Sequence, residues 1–260
     1  MSTIAKALDT TELESRVVDM YREVADHPDA KFHFETGRAL AERLGYPAGD
    51  LDVIPAESIE SFAGVGYYFD LAAITPGEIV VDLGSGSGMD SFLAARCAGE
   101  SGRVIGIDMT DAQLAKARRL ADEGVVRNID FRHSYIEELP LADASADVVI
   151  SNGVINLSAQ KSAVFAEAAR VLRLGGRLAL ADIVSATHLP EAVTCDASLW
   201  AACIGGAMQR DDYREAIEHA GFTIEVLREN TEYRFLSERA DSATQKYGVA
   251  SISILAHKTR

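Results

Sequence analysis

The chain has 260 residues and a formal net charge of −15, with 48% hydrophobic and 25% charged residues. That length suffices for one large α/β domain with a short additional segment. The negative balance argues against nucleic acid or an anionic membrane surface as the principal partner, because both reward positive charge.

No apolar run approaches the roughly 18 residues of a spanning helix, and the polar N-terminus lacks a signal-peptide core. The three cysteines, Cys97, Cys195 and Cys203, are too few and too irregular for a disulfide framework. A cytoplasmic protein is expected. Residues 10–26 place Leu13, Val17, Val18, Tyr21 and Val24 at spacings of three and four, one helical stripe, with Asp9 or Thr10 as its cap. Residues 37–44 predict a second helix stopped by Gly45 and Pro47, and 46–55 a turn-rich linker. SFAGVGYYF at 61–69 interleaves glycines with aromatics and reads equally as a flap over a pocket or as a packed entry loop.

From Gly77 the pattern alternates. Strands are expected at 79–83, 104–108, 129–132, 146–151 and 177–183, and helices at 91–97, 111–122 and 159–172. Alternation of this kind specifies a parallel sheet with right-handed crossovers and helices on both faces. Residues 184–210 break the rhythm. A helix at 211–220, a strand at 222–227, a polar connector at 230–247 containing a helix, and a last strand at 249–256 follow. Ligands of such sheets bind beyond the carboxyl ends of the strands.

The stretch EIVVDLGSGSGMD at 78–90 is the focal point. An apolar strand carrying Asp82 runs into Gly84-Ser85-Gly86-Ser87-Gly88 and then a helix-compatible run. Glycine serves there because the turn asks for backbone angles a β-carbon resists and because a ligand touches the main chain. A dinucleotide site prefers G-x-G-x-x-G, with its third glycine one place later, and a carboxylate at Asp82 would repel a pyrophosphate. The spacing G-x-G-x-G with Asp82 instead suits a ligand bearing an ammonium and a sulfonium, S-adenosylmethionine. Asp108, 24 residues past Gly84, can accept two hydrogen bonds from vicinal ribose hydroxyls, or can serve as a helix cap. Met109 beside it can line an adenine. Tyr135 and Ile136 either flank the adenine or belong to an acidic turn with Ile136 in the core. Asn152 and Asn156, after the fourth strand, either face the crevice or are turn residues.

VVDLGSGSGMD, GIDMT, the IEELP run and the LRLGGRL turn together resemble the successive motifs of class I S-adenosylmethionine-dependent methyltransferases. A finer likeness, to the arsenite methyltransferase-like branch, rests on GIDMTDAQLAKA, VISNGVINLS and LWAACIGGAM, and covers roughly residues 60–225. The resemblance implies that Asp82, Gly84, Gly86, Asp108, Met109 and Ile136 bind the donor; Ser85, Tyr135 and Asn152 are expected beside them. It also implies thiolate ligands for trivalent arsenic, a thiophilic acceptor. Here the chain departs from the pattern: Val65 and Gly153 stand where two cysteines would, and only Cys203 matches. Cys195, eight residues earlier, is a substitute ligand by proximity in sequence. The alternative for Cys203 is a small buried hydrophobe. Cys97 reads as core. His133 and His188 are candidate bases or surface residues.

The resulting expectation is an α/β, Rossmann-like, seven-stranded and mostly parallel sheet with helices on both faces. A helical segment over 1–58 forms part of a lid, and the catalytic domain spans 59–260, with the insertion 184–210 contributing to an acceptor pocket that includes Tyr67, Tyr68, Asn156 and Trp200. The expected reaction is methyl transfer to a small-molecule acceptor with S-adenosylhomocysteine as product, no catalytic metal, and a monomer or homodimer. The acceptor is trivalent arsenic or another soft nucleophile, or else a carbon, oxygen or nitrogen of an apolar molecule of quinone or natural-product type. A nicotinamide-dependent reductase and a non-catalytic nucleoside-binding module are the alternatives of other classes.

Overall fold

The structure, a computed structural model, describes residues 10–124, 126–194, 200, 204–236 and 238–260. Among the described residues, five helices precede the sheet: α1 (Thr10–Asp26), α2 (Arg38–Leu44), α3 (Ala48–Leu51), α4 (Ala56–Glu60) and α5 (Phe69–Ala72). The α/β body follows as β1 (Ile79–Leu83), α6 (Met89–Ala98), β2 (Arg103–Asp108), α7 (Asp111–Glu123), β3 (Ile129–His133), β4 (Ala146–Asn152), a 3-10 turn (Ile155–Leu157), α8 (Lys161–Val171) and β5 (Leu172–Ser185). The last third adds α9 (Glu191–Thr194), β6 (Met208–Gln209), α10 (Arg210–His219), β7 (Phe222–Glu229), α11 (Glu238–Tyr247) and β8 (Ala250–Lys258).

The sheet runs β3-β2-β1-β4-β5-β8-β7. Strands β1 to β5 are parallel, and β8 is antiparallel to both its neighbours. The seven expected strands are all present, and the two-residue β6 adds a short parallel pairing at Val184 and Ser185. The central strands are apolar on both faces: Val80, Val81 and Leu83 in β1, Val148 to Ile150 in β4 and Leu178 to Ala181 in β5 are buried. Strands covered by helices on both sides need this continuous character. Chain order reverses between β1 and β4, so their crossovers leave in opposite directions and open a crevice at the carboxyl ends.

Several boundaries differ from expectation, and α4, α5 and α9 form where no helix was expected. The linker at 46–55 contains the short α3. Helix α6 begins two residues early: Gly88, at φ +94°, is its N-cap and its carbonyl accepts the Phe92 amide at 2.8 Å. Strand β5 begins at Leu172, which pairs with Ala146; the glycine pair at 175–176 is absorbed as an irregularity where the register shifts between Ala146 and Val148.

Helix α1 packs on the body beside α7. Gln113 Nε2 donates to the Tyr21 carbonyl at 2.9 Å, and Lys116 Nζ donates to the Ala25 carbonyl at 3.2 Å and to Ser61 Oγ at 2.8 Å. An ammonium at the carboxyl end of a helix also opposes the negative end of its dipole. Leu13 and Val17 are buried in the same cluster as Tyr68, Val148 and Trp200. Among the described residues, no helix is long and apolar enough to cross a membrane.

Candidate active site

The carboxyl ends of β1, β2 and β4 open into one cleft, roofed by Leu13, Val17 and Tyr21 of α1 and by Phe62 to Gly64. It encloses about 1180 Å³, its open mouth included. The turn between β1 and α6 forms its floor. Gly84, Gly86 and Gly88 all have positive φ, +71°, +53° and +94°, which a β-carbon disfavours. A β-carbon on Gly84 would also sit 2.6 Å from the Val154 side chain. The turn is fastened to β2: the Gly84 and Ser85 amides donate to the Ile107 carbonyl at 2.8 and 2.9 Å, and the Gly86 amide donates to Asp108 Oδ2 at 2.9 Å.

Three carboxylates meet around this floor. Asp82, 2% exposed, accepts from Ser91 Oγ at 2.6 Å. Burial, reinforced by the charges of Asp90 and Asp108, pushes its carboxyl up to about 8. Asp90 accepts from the Tyr46 and Tyr68 hydroxyls, each at 2.8 Å, and from Asn152 Nδ2 at 3.1 Å. Burial raises its carboxyl too, while those three donors pull it back. Asp108 Oδ1 accepts the Thr110 amide at 2.8 Å, just before α7. The N-cap of α7 is Thr110, so Asp108 is not the helix cap; each of its oxygens takes one backbone N–H and retains a lone pair for a ligand. Ser85 lines the cleft, while its hydroxyl is buried against Gly106 of β2, where a β-carbon would stand 2.9 Å from Oγ.

These features fit a positively charged adenosyl amino acid. At Gly86, where a β-carbon would meet nothing closer than Gln113 at 3.7 Å, the main chain is open to close approach. The raised Asp82 carboxyl would be stabilised in its charged form by an ammonium or sulfonium, and Asp108 sits at the end of β2 where ribose hydroxyls are held in such sheets. Met109, Tyr135 and Ile136 line the same cleft; Tyr135 is 47% exposed at its rim and Ile136 is 8% exposed, packed also against the core of β1 and β2.

Asn152 lines the cleft but commits its amide to the protein. Its Oδ1 accepts the Val65 amide at 2.8 Å, and its Nδ2 lies 3.0 Å from the Gly66 carbonyl and from the Tyr46 hydroxyl. It is a clamp that fixes residues 65–66 to the end of β4. Asn152→Ala is expected to cost about 2 kcal/mol of stability, from buried donors and acceptors left unpaired. The check is the urea midpoint together with limited proteolysis, which should gain a cut within 61–69. An unchanged midpoint would contradict the clamp.

The acceptor-pocket assignment needs correcting. Tyr67, Tyr68, Asn156 and Trp200 do not line the cleft. Tyr68 is fully buried and spends its hydroxyl on Asp90. Tyr67 packs edge-on against Tyr46, ring centroids 5.0 Å apart. Asn156 is buried in the 3-10 turn, its carbonyl accepting from Lys161 Nζ at 3.0 Å. Trp200 lies over Lys161 Nζ at 4.8 Å and donates from Nε1 to the Thr194 carbonyl at 2.6 Å. The segment 61–69 is thus a packed wall whose first residues alone reach the cleft. His133 and His188 are exposed and do not line it. Cys97 is exposed rather than core. Cys195 and Cys203 lie outside the described residues.

The two positions that depart from the thiol pattern prove to be neighbours. Val65 is 1% exposed, and a β-carbon on Gly153, at φ +72°, would stand 3.2 Å from Val65 Cγ1.

Residues 74–221, more than half of the chain, match the family model described as a methyltransferase domain. The chain belongs to that family, and the reductase alternative falls with it. Within the family its sequence is arsenite methyltransferase-like. It is 41% identical over 205 residues to the arsenite methyltransferase of Halobacterium salinarum, a stretch covering 78% of this chain and 52% of that protein. The crystal structure of an arsenic(III) S-adenosylmethionine methyltransferase from Chlamydomonas reinhardtii superimposes with a TM-score of 0.68 at 31% identity, covering 86% of this chain and 74% of that one. Geranyl diphosphate C-methyltransferase from Streptomyces coelicolor shares the fold, with a TM-score of 0.69 at 17% identity over 95% of this chain and 98% of its own. The chain spans about half the length of the curated arsenite methyltransferases it matches.

Proposed function

We propose that this protein transfers a methyl group from S-adenosylmethionine to a small-molecule acceptor, and that the acceptor is trivalent arsenic, as in its relatives. The observation that carries the methyl-transfer reading is the placing of the buried Asp82 and of Asp108 on either side of a positive-φ glycine turn that lines one cleft. Asp82 would meet the positive charge of the methionine end, Asp108 the ribose hydroxyls, and Met109 and Ile136 the adenine. When bound, the donor supplies a methyl group on a sulfonium already activated for displacement. The protein's part is to align the acceptor and exclude water. Helix α1 and residues 62–64 do the second by covering the cleft, so the N-terminal helices serve as its lid.

One observation favours a second acceptor class. With Val65 buried behind Gly153, neither of the positions that would hold two thiolates offers a thiol to the cleft. That absence suits a carbon, oxygen or nitrogen nucleophile on an uncharged small molecule. The two readings separate on Cys203→Ser, assayed for methyl transfer to arsenite with a thiol present. A thiolate mechanism predicts at least a 100-fold loss, the effect of removing a soft ligand for a soft ion. Retention of full activity would remove that mechanism, and absence of arsenite methylation by the unmodified protein would favour the second class.

A further inference from the structure

We propose that the cleft admits uncharged and cationic acceptors and excludes anionic ones, an inference that rests on the methyl-transfer reading and narrows its substrate class. The carboxylates of Glu14, Asp82, Asp90, Asp108 and Glu137 all line the cleft, and among its described lining residues none is lysine, arginine or histidine. The donors that these acids find are neutral. Asp82 takes a serine hydroxyl, Asp90 two phenols and an amide, Asp108 two backbone N–H groups, and Glu137 the hydroxyl of Ser158. No ion pair to any of the five is formed among the described residues.

The two lysines that come near are already engaged. Lys116 Nζ serves the Ala25 carbonyl and Ser61 Oγ. Lys161, 5% exposed, is held behind the 3-10 turn by the Asn156 and Ser158 carbonyls, at 3.0 and 2.7 Å, under the ring of Trp200. Neither ammonium faces a ligand in the cleft.

The cleft has the floor of a ligand site: the positive-φ glycine turn lines it at Gly84 and Gly86, and at Gly86 a β-carbon would meet nothing closer than Gln113 at 3.7 Å. A donor carrying ammonium, sulfonium and carboxylate brings a net charge of about +1, so the donor-loaded cleft remains negative. Low-dielectric walls concentrate that potential. An acceptor bearing a carboxylate, sulfonate or phosphate would enter against it with no basic side chain among the described lining residues to meet it. Neutral arsenous acid or an uncharged phenol would not, and an amine would be drawn in.

The test uses protein saturated with S-adenosylhomocysteine and two probe scaffolds, a phenylarsonous acid and a naphthol. Each is prepared in matched neutral, aminomethyl and carboxylate forms, and binding is measured by calorimetry at low ionic strength. The carboxylate member is expected to bind at least tenfold more weakly than its neutral partner in any scaffold that binds. Glu14→Lys, on the exposed edge of the roof, should narrow that gap at least threefold. A carboxylate probe that binds as tightly as its neutral partner would overturn the proposal, as would failure of every neutral and aminomethyl probe to bind. Failure to bind S-adenosylhomocysteine is a separate readout and would remove the methyl-transfer reading itself.

Discussion

Asp108→Ala is expected to lower affinity for S-adenosylhomocysteine by at least about 100-fold. A carboxylate clasping two ribose hydroxyls makes two charge-assisted hydrogen bonds, each contributing on the order of 1.5–3 kcal/mol, and about 1.4 kcal/mol corresponds to a factor of ten. The same substitution strips the Gly86 and Thr110 amides of their acceptor, loosening the glycine turn that forms the floor. Asp108→Asn separates the two contributions: it keeps an acceptor for one backbone amide and loses the charge. Calorimetry should therefore rank the wild type above Asp108→Asn, and Asp108→Ala last. A loss smaller than threefold in the alanine variant would place the ribose elsewhere.

The second large effect is on pH. Asp82, with its carboxyl pushed up to about 8 by burial, is protonated at pH 7 in the ligand-free protein. A cation bound beside it favours the carboxylate, so binding S-adenosylmethionine at pH 7 should release close to one proton. Affinity should then rise about tenfold per pH unit up to about pH 8 and level off above it. The sign for stability is the opposite. The folded state holds a proton that the unfolded chain gives up near pH 4, so ligand-free stability falls as pH rises between about 4 and 8, by up to about 1.4 kcal/mol per unit from this group. Asp182, which accepts from the Tyr213 hydroxyl and is raised to about 6, adds a loss of the same sign over the lower part of that window. Titrations in two buffers of different ionisation enthalpy measure the proton release, and Asp82→Asn should abolish it. Binding at pH 7 with no proton released would refute this assignment.

The donor end of the site was legible in the chain because its determinants are local. Asp82 immediately precedes the glycine turn, and Asp108 ends the next strand, so strand periodicity and one glycine pattern are enough to bring them together. The sheet was legible for the same reason, since the central strands are uninterrupted apolar runs bounded by turns. What escaped was long-range. The Asp90 knot joins Tyr46, Tyr68 and Asn152 across separations of 44, 22 and 62 residues, and no local pattern marks such a pairing. The one available signal was an acid, Asp90, in the first turn of an otherwise apolar helix.

Tyr67 and Tyr68 were misplaced for a related reason. Aromatics between glycines look like pocket walls, yet Tyr68 has a buried carboxylate to satisfy and turns inward. The amphipathic stripe of α1 announced a helix but not its partner, so its role as roof of the cleft needed the structure. The contact of Val65 with Gly153 shows the reverse case. Two departures from a motif, read separately in sequence, become one local change once the fold brings them together.

The most direct measurement is a calorimetric titration of the intact protein with S-adenosylmethionine, S-adenosylhomocysteine and, as control, NAD. The acidic, glycine-floored cleft predicts micromolar binding of both adenosyl amino acids and none of the dinucleotide. Silence toward both adenosyl compounds at millimolar concentration, or binding of NAD in their place, would contradict it.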